Sequence, residues 1–164
     1  MKVEDYQQGQ ALSLPDAEVI WYPQAFSLEE SDQLLAELLD GVAWRQESIT
    51  LFKREVLLPR LTAWYGDRGK IYTYSNLTME PELWTPALLK IRSRVEAIAH
   101  TTFNSVLLNL YRDGRDSIAW HSDDEPELGE NPIIGSVSFG EARRFMLRHR
   151  FQKHWKGGDQ SDSR

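Results

Sequence analysis

The 164-residue chain contains no cysteine, and this absence excludes several kinds of chemistry. Without thiols the protein has no disulfide bonds, no thiolate zinc site and no cysteine nucleophile. The sequence also lacks an apolar run close to the roughly 20 residues that cross a bilayer, and the polar start MKVEDYQQGQ is unlike a secretory signal. With 41% hydrophobic and 27% charged residues, the composition predicts a globular cytoplasmic protein without membrane association.

The chain is also short of positive charge, with 19 basic against 25 acidic residues and a formal net charge of −6. Taken over the whole chain, this charge argues against a nucleic-acid partner. The first fifty residues account for more than the whole excess, since ten acidic side chains there accompany two basic ones. The remainder can still present a basic surface to phosphates, because attraction depends on the nearby field. Ordinary mixed surface charge explains the same counts equally well.

Helix signals precede residue 101, and strand signals mostly follow it. SLEESDQLLAELLDG, with Ser27 and Glu30 as a capping box and Gly41 as a stop, predicts one helix. TPALLKIRSRVEAIAH, capped by Thr85, predicts a second helix. Alternation predicts strands at KIYTYSN, FNSVLLNLY, SIAWH, IIGSVSF and RRFMLRH. The order predicts an α+β fold, with N-terminal helices packed on one face of a mainly antiparallel sheet or barrel.

The stretch SIAWHSDDEPELGEN contains the side chains that point most directly to chemistry. If it is extended, His121 and Asp123 lie on one face, because side chains alternate along a strand. A His-x-Asp pair and a distant histidine form the ligand set of non-haem Fe(II) oxygenases, but a solvated acidic loop with a chance histidine explains the stretch as well. Asn109 and Tyr111 share a polar face of the preceding strand. They can hydrogen-bond a small carboxylate, or they can be ordinary cross-strand residues.

The run FNSVLLNLYRDGRDSIAWHSDDEPELGENPIIGSVSFGEARRFMLRHR resembles the core of the AlkB family of Fe(II)/2-oxoglutarate-dependent nucleic-acid dealkylases. PRLTAWYGDRGKIYTYSNLT resembles the nucleotide-recognition region of the family, so the resemblance covers about residues 52–150. It implies a double-stranded β-helix (jelly roll) core in one dioxygenase domain, residues 1–150. The composition of the end of the chain predicts a disordered tail, residues 151–164. The resemblance also implies an oxidoreductase that repairs DNA damage by direct reversal. Such an enzyme demethylates alkylated bases in DNA or RNA with Fe(II), O₂ and 2-oxoglutarate as cosubstrate.

The resemblance implies a role for particular residues of this chain. His121 and Asp123 would be two of the three iron ligands, and Asn109 and Tyr111 would bind the carboxylates of 2-oxoglutarate. The implied contacts to alkylated nucleic acid are Phe52, Lys53, Arg54, Arg60, Tyr72, Thr73, Tyr74, Asp124 and Glu125. Aromatic side chains suit the stacking of an extruded base, and an aromatic wedge beside cations suits a duplex. Taken singly, each of these residues also fits an ordinary strand, turn or loop.

The sequence departs from the family pattern near its end. The second iron-binding histidine and the arginines that bind 2-oxoglutarate are expected later in the chain than Arg164, its last residue. His154 in QKHWK weakly resembles the family's His-Trp segment, but Gly157 stands at the ligand position, so we assign no third ligand there. His100 and His149 are poor candidates because one ends a helix and the other lies on a strand.

These departures predict a C-terminally incomplete family member with weak metal binding and impaired activity. The main hypothesis remains a dealkylating enzyme. The alternatives are a catalytically impaired homologue that binds nucleic acid or a partner without turnover, and a remnant without function. The sequence predicts a monomer but leaves open DNA against RNA, the methylated base, and single against double strands.

Overall fold

The computed structural model describes residues 9–51, 53–69, 72–74, 77–79, 81–151 and 156–157. The chain divides into two units, one formed by residues 1–36 with 137–164 and the other by residues 37–136. In chain order the elements are β1 (Gln10–Leu14), β2 (Ala17–Trp21), α1 (Leu28–Gly41), β3 (Ser48–Leu51), β4 (Arg54–Leu57), β5 (Leu61–Gly66), β6 (Tyr72–Tyr74), β7 (Leu77–Met79), β8 (Glu82–Leu83), α2 (Pro86–Ala99), β9 (Ser105–Leu110), β10 (Leu147–Arg148) and β11 (Lys156–Gly157).

Both predicted helices are confirmed, and their caps explain where they begin. Before α1, the Ser27 N–H donates to Glu30 Oε2 at 3.0 Å and the Glu30 N–H donates to Ser27 Oγ at 3.2 Å. These reciprocal bonds satisfy donors that have no partner inside the helix. Before α2, Thr85 Oγ1 accepts from the Leu88 N–H at 3.3 Å, and His100 ends the helix in the left-handed region. Gly41, predicted as the stop, is the last residue of α1.

Strand β5 is the centre of the second unit. It pairs antiparallel with β9 over its whole length, from Leu61 opposite Leu110 to Gly66 opposite Ser105, and its end pairs parallel with β8. One face of this pair is buried and includes Ala63, Tyr65 and Leu108. Because cross-strand partners share a face, the opposite face carries the polar side chains that belong to the candidate site described below.

One acidic side chain after β5 forms hydrogen bonds with residues of α2 and of the segment before it. Asp67 Oδ1 accepts from Trp84 Nε1 at 2.9 Å and from Arg92 Nη1 at 3.0 Å. Arg92 also pairs with Glu96 at 2.8 Å, and this hydrogen bond lowers the pKa of Glu96. The other unit contains the β1–β2 hairpin and an edge-on contact of the Phe26 and Phe139 rings, whose centroids are 5.4 Å apart.

Several predicted strands are wrong, although β9 confirms FNSVLLNLY and β6 confirms the centre of KIYTYSN. Residues 117–121 and 133–139 form no strand, and only Leu147–Arg148 does so within residues 143–149. Alternation is a local signal, whereas a strand also needs a partner for its backbone groups. The apolar side chains of these segments stay exposed, as Trp120 at 51% and Ile133 at 61% show.

The strands of the described residues form small sheets, and none of these sheets closes into a barrel. The α+β content is therefore as predicted, while the described strands do not make up a jelly roll. The predicted tail, residues 151–164, falls largely outside the described residues, but Lys156–Gly157 pairs with Leu147–Arg148. Neither helix of the described chain combines the length and the apolar composition needed to cross a membrane.

Candidate functional site

A tightly bonded turn directs the chain from β9 toward the predicted metal ligands. The Arg112 guanidinium donates to both carboxylate oxygens of Asp116, at 2.7 and 2.9 Å, and the Arg112 backbone N–H donates to the same carboxylate at 2.9 Å. Asp116 is only 7% exposed, and the hydrogen bonds from Arg112 lower its pKa to about 2. The next backbone N–H, that of Ser117, donates to the Pro59 carbonyl at 2.8 Å. The chain therefore leaves the turn in a defined direction.

The structure brings His121 and Asp123 together, although they lie on a loop and not on the predicted strand. His121 Nδ1 is 2.9 Å from the Ala119 carbonyl oxygen, and His121 Nε2 is 3.5 Å from Asp123 Oδ1. A carbonyl oxygen only accepts, so Nδ1 carries a proton, and Nε2 is the ring nitrogen that faces the carboxylate. Nε2 donates to Asp123 when the ring is charged, and it offers its lone pair to a metal ion when the ring is neutral. With the ring neutral, a cation placed between Nε2 and the carboxylate would be bound by both atoms.

The spacing of this pair fits a metal ion. Two atoms that each lie about 2.1 Å from one first-row metal are roughly 3.0 to 3.5 Å apart. The side chains of His121 and Asp123 are 53% and 46% exposed, so an ion can reach them from solvent. The Ala119 carbonyl oxygen accepts a hydrogen bond from Nδ1 and so orients the ring. Metal-binding histidines commonly make such a bond with the ring nitrogen that does not contact the metal. His121 and Asp123 could thus provide two ligands.

A third ligand is not found among the residues that the structure describes. No group of three histidine, aspartate or glutamate side chains lies close enough there to hold a metal ion. His149 contacts Asp16, with Nε2 and Oδ2 3.0 Å apart, and His100 caps α2. His154, to which no ligand role was assigned, lies outside the described residues.

The polar face of β5 and β9 joins two residues that were predicted to serve different ligands. Arg60 Nε donates to Asn109 Oδ1 at 2.8 Å, which places a predicted substrate contact against a predicted 2-oxoglutarate contact. Thr62 is the cross-strand partner of Asn109 and is 3% exposed. Tyr111 follows β9 and is half-buried. This face therefore presents one cation, an amide and hydroxyl groups beside the chain that leads to His121.

The remaining predicted substrate contacts lie on a hairpin tip and a loop. Lys53 and Arg54 are exposed where β3 turns into β4, and Lys53 has a φ of 65°, a left-handed conformation uncommon for a lysine. Asp124 is exposed, and Glu125 is half-buried. The backbone of Tyr72, Thr73 and Tyr74 forms β6. Their side chains, and Phe52 as a whole, lie outside the described part of the chain.

Two features of this region were missed from the sequence. The pairing of Asp116 with Arg112 was not predicted, although a buried carboxylate needs such a partner. Thr62 was overlooked because its position beside Asn109 depends on strand register. Thr62 lies two residues after Arg60, and alternate residues of a strand share a face. This spacing could have indicated that Thr62 lies on the same face as Arg60.

The chain is similar to known proteins over most of its length. Residues 18–161 match the 2OG-Fe(II) oxygenase superfamily. The chain is 47% identical over 131 residues to the alpha-ketoglutarate-dependent dioxygenase alkB homolog 3 of Mus musculus, covering 79% of this chain and 45% of that protein. It is 41% identical over 132 residues to the DNA oxidative demethylase ALKBH2 of Homo sapiens, covering 79% and 51%.

A more distant relative extends the match along the chain. The DNA oxidative demethylase ALKBH2 of Arabidopsis thaliana is 30% identical over 151 residues, covering 90% of this chain and 48% of that protein. The chain thus spans about half the length of the curated relatives it matches. The resemblance to the AlkB family is confirmed by these similarities.

Proposed function

Because the chain belongs to the 2OG-Fe(II) oxygenase superfamily, we propose that it acts in oxidative N-demethylation of alkylated bases in DNA or RNA. The names of its relatives, a dioxygenase and a DNA oxidative demethylase, support this reaction class. The observation in the structure that carries the proposal is the pairing of His121 Nε2 with Asp123 Oδ1 at 3.5 Å. The protein would use Fe(II), O₂ and 2-oxoglutarate to repair DNA or RNA by direct reversal.

In this proposal the residues of the chain position the reactants. When bound, Fe(II) and 2-oxoglutarate would allow O₂ to oxidise an N-methyl group, which then leaves as formaldehyde, while 2-oxoglutarate is converted to succinate and CO₂. His121 and Asp123 would hold the metal, and the Ala119 carbonyl keeps the His121 ring in the tautomer that leaves Nε2 available. Asn109 and Tyr111 would hold 2-oxoglutarate on the polar face of β9. The bonded turn between Arg112 and Asp116 fixes the path that connects these two groups.

The contacts to nucleic acid form a further part of the proposal. Lys53 and Arg54 at the β3–β4 tip suit phosphate binding, since both are exposed cations on a projecting hairpin. Phe52 would wedge into the base stack, and Arg60, Tyr72, Thr73 and Tyr74 would surround the extruded base. Asp124 and Glu125, next to the metal pair, would stabilise a base that carries positive charge through its alkyl group.

The remaining features of the proposed protein are its architecture and setting. The superfamily implies a jelly-roll core, and β5 with β9 would belong to it. We also propose that the protein acts as a cytoplasmic monomer within one domain of residues 1–150. Binding of nucleic acid or a partner without turnover is the second candidate function. It is favoured by one observation, namely that the described residues bring together only two of the three ligands of such a site.

An assay of coupled turnover separates the two functions. The purified chain is incubated with Fe(II), ascorbate, 2-oxoglutarate and an oligonucleotide that carries N-methylated bases, and succinate and formaldehyde are quantified. The enzyme predicts release of both in equal amounts only when the methylated oligonucleotide is present. Salt-dependent binding of the oligonucleotide without either product would instead establish the binding protein. The unmethylated oligonucleotide is the matched control.

A further inference from the structure

Thr62 carries a buried hydroxyl group that the fold does not use. The residue is 3% exposed, and its Oγ1 has no hydrogen-bond partner among the described residues. Buried polar atoms are almost always paired in folded proteins, so an unpaired one calls for a function or a missing partner. Threonine is also replaceable by the similarly shaped valine wherever only packing matters. The hydroxyl at this position therefore points to a ligand.

The neighbours of Thr62 present hydrogen-bond donors. Asn109 lies directly across the strand pair on the same face. Its Oδ1 accepts from Arg60 Nε, and its amide nitrogen donates no hydrogen bond to the described residues. The terminal nitrogens of Arg60 donate no hydrogen bond within the described chain. This face thus combines guanidinium, amide and hydroxyl donors, and such a set is complementary to an anion with several oxygens.

We infer that Arg60, Thr62 and Asn109 form one carboxylate-binding subsite, in which the Thr62 hydroxyl donates to a carboxylate oxygen of 2-oxoglutarate. The inference rests on the proposed function, because 2-oxoglutarate is the carboxylate that this function requires. It gives Arg60 a role at the cosubstrate instead of, or in addition to, one at the base. A bond from a neutral hydroxyl to a carboxylate is short and strong in a buried setting, so Thr62 contributes to affinity and to orientation.

Equilibrium binding of 2-oxoglutarate to the full chain in the presence of Mn(II) tests the inference without any turnover. Thr62→Val removes the hydroxyl and keeps the shape, and we expect its dissociation constant to rise about tenfold or more. Thr62→Ser keeps the hydroxyl and should stay within about threefold of the unaltered chain. Thr102→Val, at an exposed threonine, is the matched control and should not change the affinity. Thermal melting of each variant verifies its folding, and Thr62→Ala replaces the valine variant if that one is unfolded.

The possible results distinguish this inference from the proposed function. If the unaltered chain binds no 2-oxoglutarate, the proposed function fails and the inference fails with it. If the unaltered chain binds it and Thr62→Val binds equally well, the inference alone is overturned. If Thr62→Val weakens binding of a methylated oligonucleotide but not of 2-oxoglutarate, the hydroxyl faces the nucleic acid and the carboxylate assignment is wrong.

Discussion

Two charged turns follow strand β9 in close succession, RDGRD at residues 112–116 and HSDDE at residues 121–125, and the structure uses them differently. In the first, Asp116 is 7% exposed and accepts three hydrogen bonds from Arg112. In the second, His121 and Asp123 are about half exposed and approach each other to 3.5 Å. Both stretches place a nitrogen-bearing side chain near an acidic one, so the presence of such a pair does not by itself separate a structural ion pair from a binding site.

The two stretches differ in how many of their hydrogen-bond donors and acceptors find partners within the protein. Both carboxylate oxygens of Asp116 meet donors, so that little remains for a ligand, and the low pKa records the strength of this pairing. The Nδ1–H group of His121 donates to a backbone carbonyl, while Nε2 faces a carboxylate at 3.5 Å. Groups that a fold holds in place without satisfying them are the ones available for binding. We therefore expect mutations in the first turn to affect stability and mutations in the second to affect metal binding.

The largest expected effect is the loss of metal binding on changing His121. We expect His121→Ala to weaken Mn(II) or Fe(II) binding by about 100-fold or more, because one of two ligand atoms is removed. Its melting temperature should hardly change, since the side chain is largely exposed. Metal titration followed by calorimetry measures the first quantity and thermal melting the second.

The control for this prediction is another histidine of the described chain that contacts an aspartate. His149 lies 3.0 Å from Asp16, so His149→Ala also disrupts a pair of a histidine with an acid. Its side chain is 13% exposed, and we expect some loss of stability but no loss of metal affinity. Equal metal affinity of His121→Ala and the unaltered chain would remove the second turn from the candidate site.

Changing Asp116 should produce a smaller effect, and on stability. Asp116→Asn removes the charge that pairs with Arg112, and we expect the melting temperature at pH 7 to fall by roughly 5 °C. The pKa of Asp116 is lowered from 3.8 to about 2 in the folded protein. A lowered carboxyl pKa stabilises the fold above the unfolded pKa, and this contribution disappears as pH falls through the folded pKa. The difference between the two proteins should therefore shrink between about pH 4 and pH 2.

Urea unfolding at several pH values measures that difference. Metal affinity at pH 7 should change by less than about tenfold, because Asp116 has no group left to offer an ion. A gap in stability that stays constant down to pH 2 would show that the charge of Asp116 does not stabilise the turn. A loss of metal binding as large as that of His121→Ala would show that the two turns are not separable.

The sequence predicted those parts of the fold that depend on neighbouring residues. Ser27 with Glu30, and Thr85 with Leu88, mark helix starts through hydrogen bonds between residues three apart. The strands predicted at residues 117–121 and 133–139 are wrong because strand pairing depends on residues far away in the sequence. Ile133 alternates with its neighbours as a strand residue does, yet it is 61% exposed. A local pattern cannot report whether a partner strand is present.

The candidate site shows the same division between local and distant information. His121 and Asp123 are two residues apart, so their approach could be predicted from spacing and is seen in the structure. Thr62 and Asn109 are far apart in sequence, and only the register of β5 against β9 makes them neighbours. The contact of Arg60 with Asn109 likewise follows from that register. The roles of all these residues in binding stay predictions until the ligands are measured.

The smallest expected effect distinguishes two arginines within the first turn itself. Arg115 pairs with Asp113 at 2.7 Å, the same distance as the closest contact of Arg112 with Asp116, but the Arg115 side chain is 92% exposed. Exposed ion pairs contribute little, because water and salt screen the charges and ordering the long side chain costs entropy. We expect Arg115→Ala to leave the melting temperature within about 1 °C, while Arg112→Ala lowers it by several degrees by leaving the buried Asp116 carboxylate without its partner. Melting both variants at low and at 1 M salt measures this contrast. Equal losses from the two arginines would mean that burial of Asp116 does not set the strength of the turn.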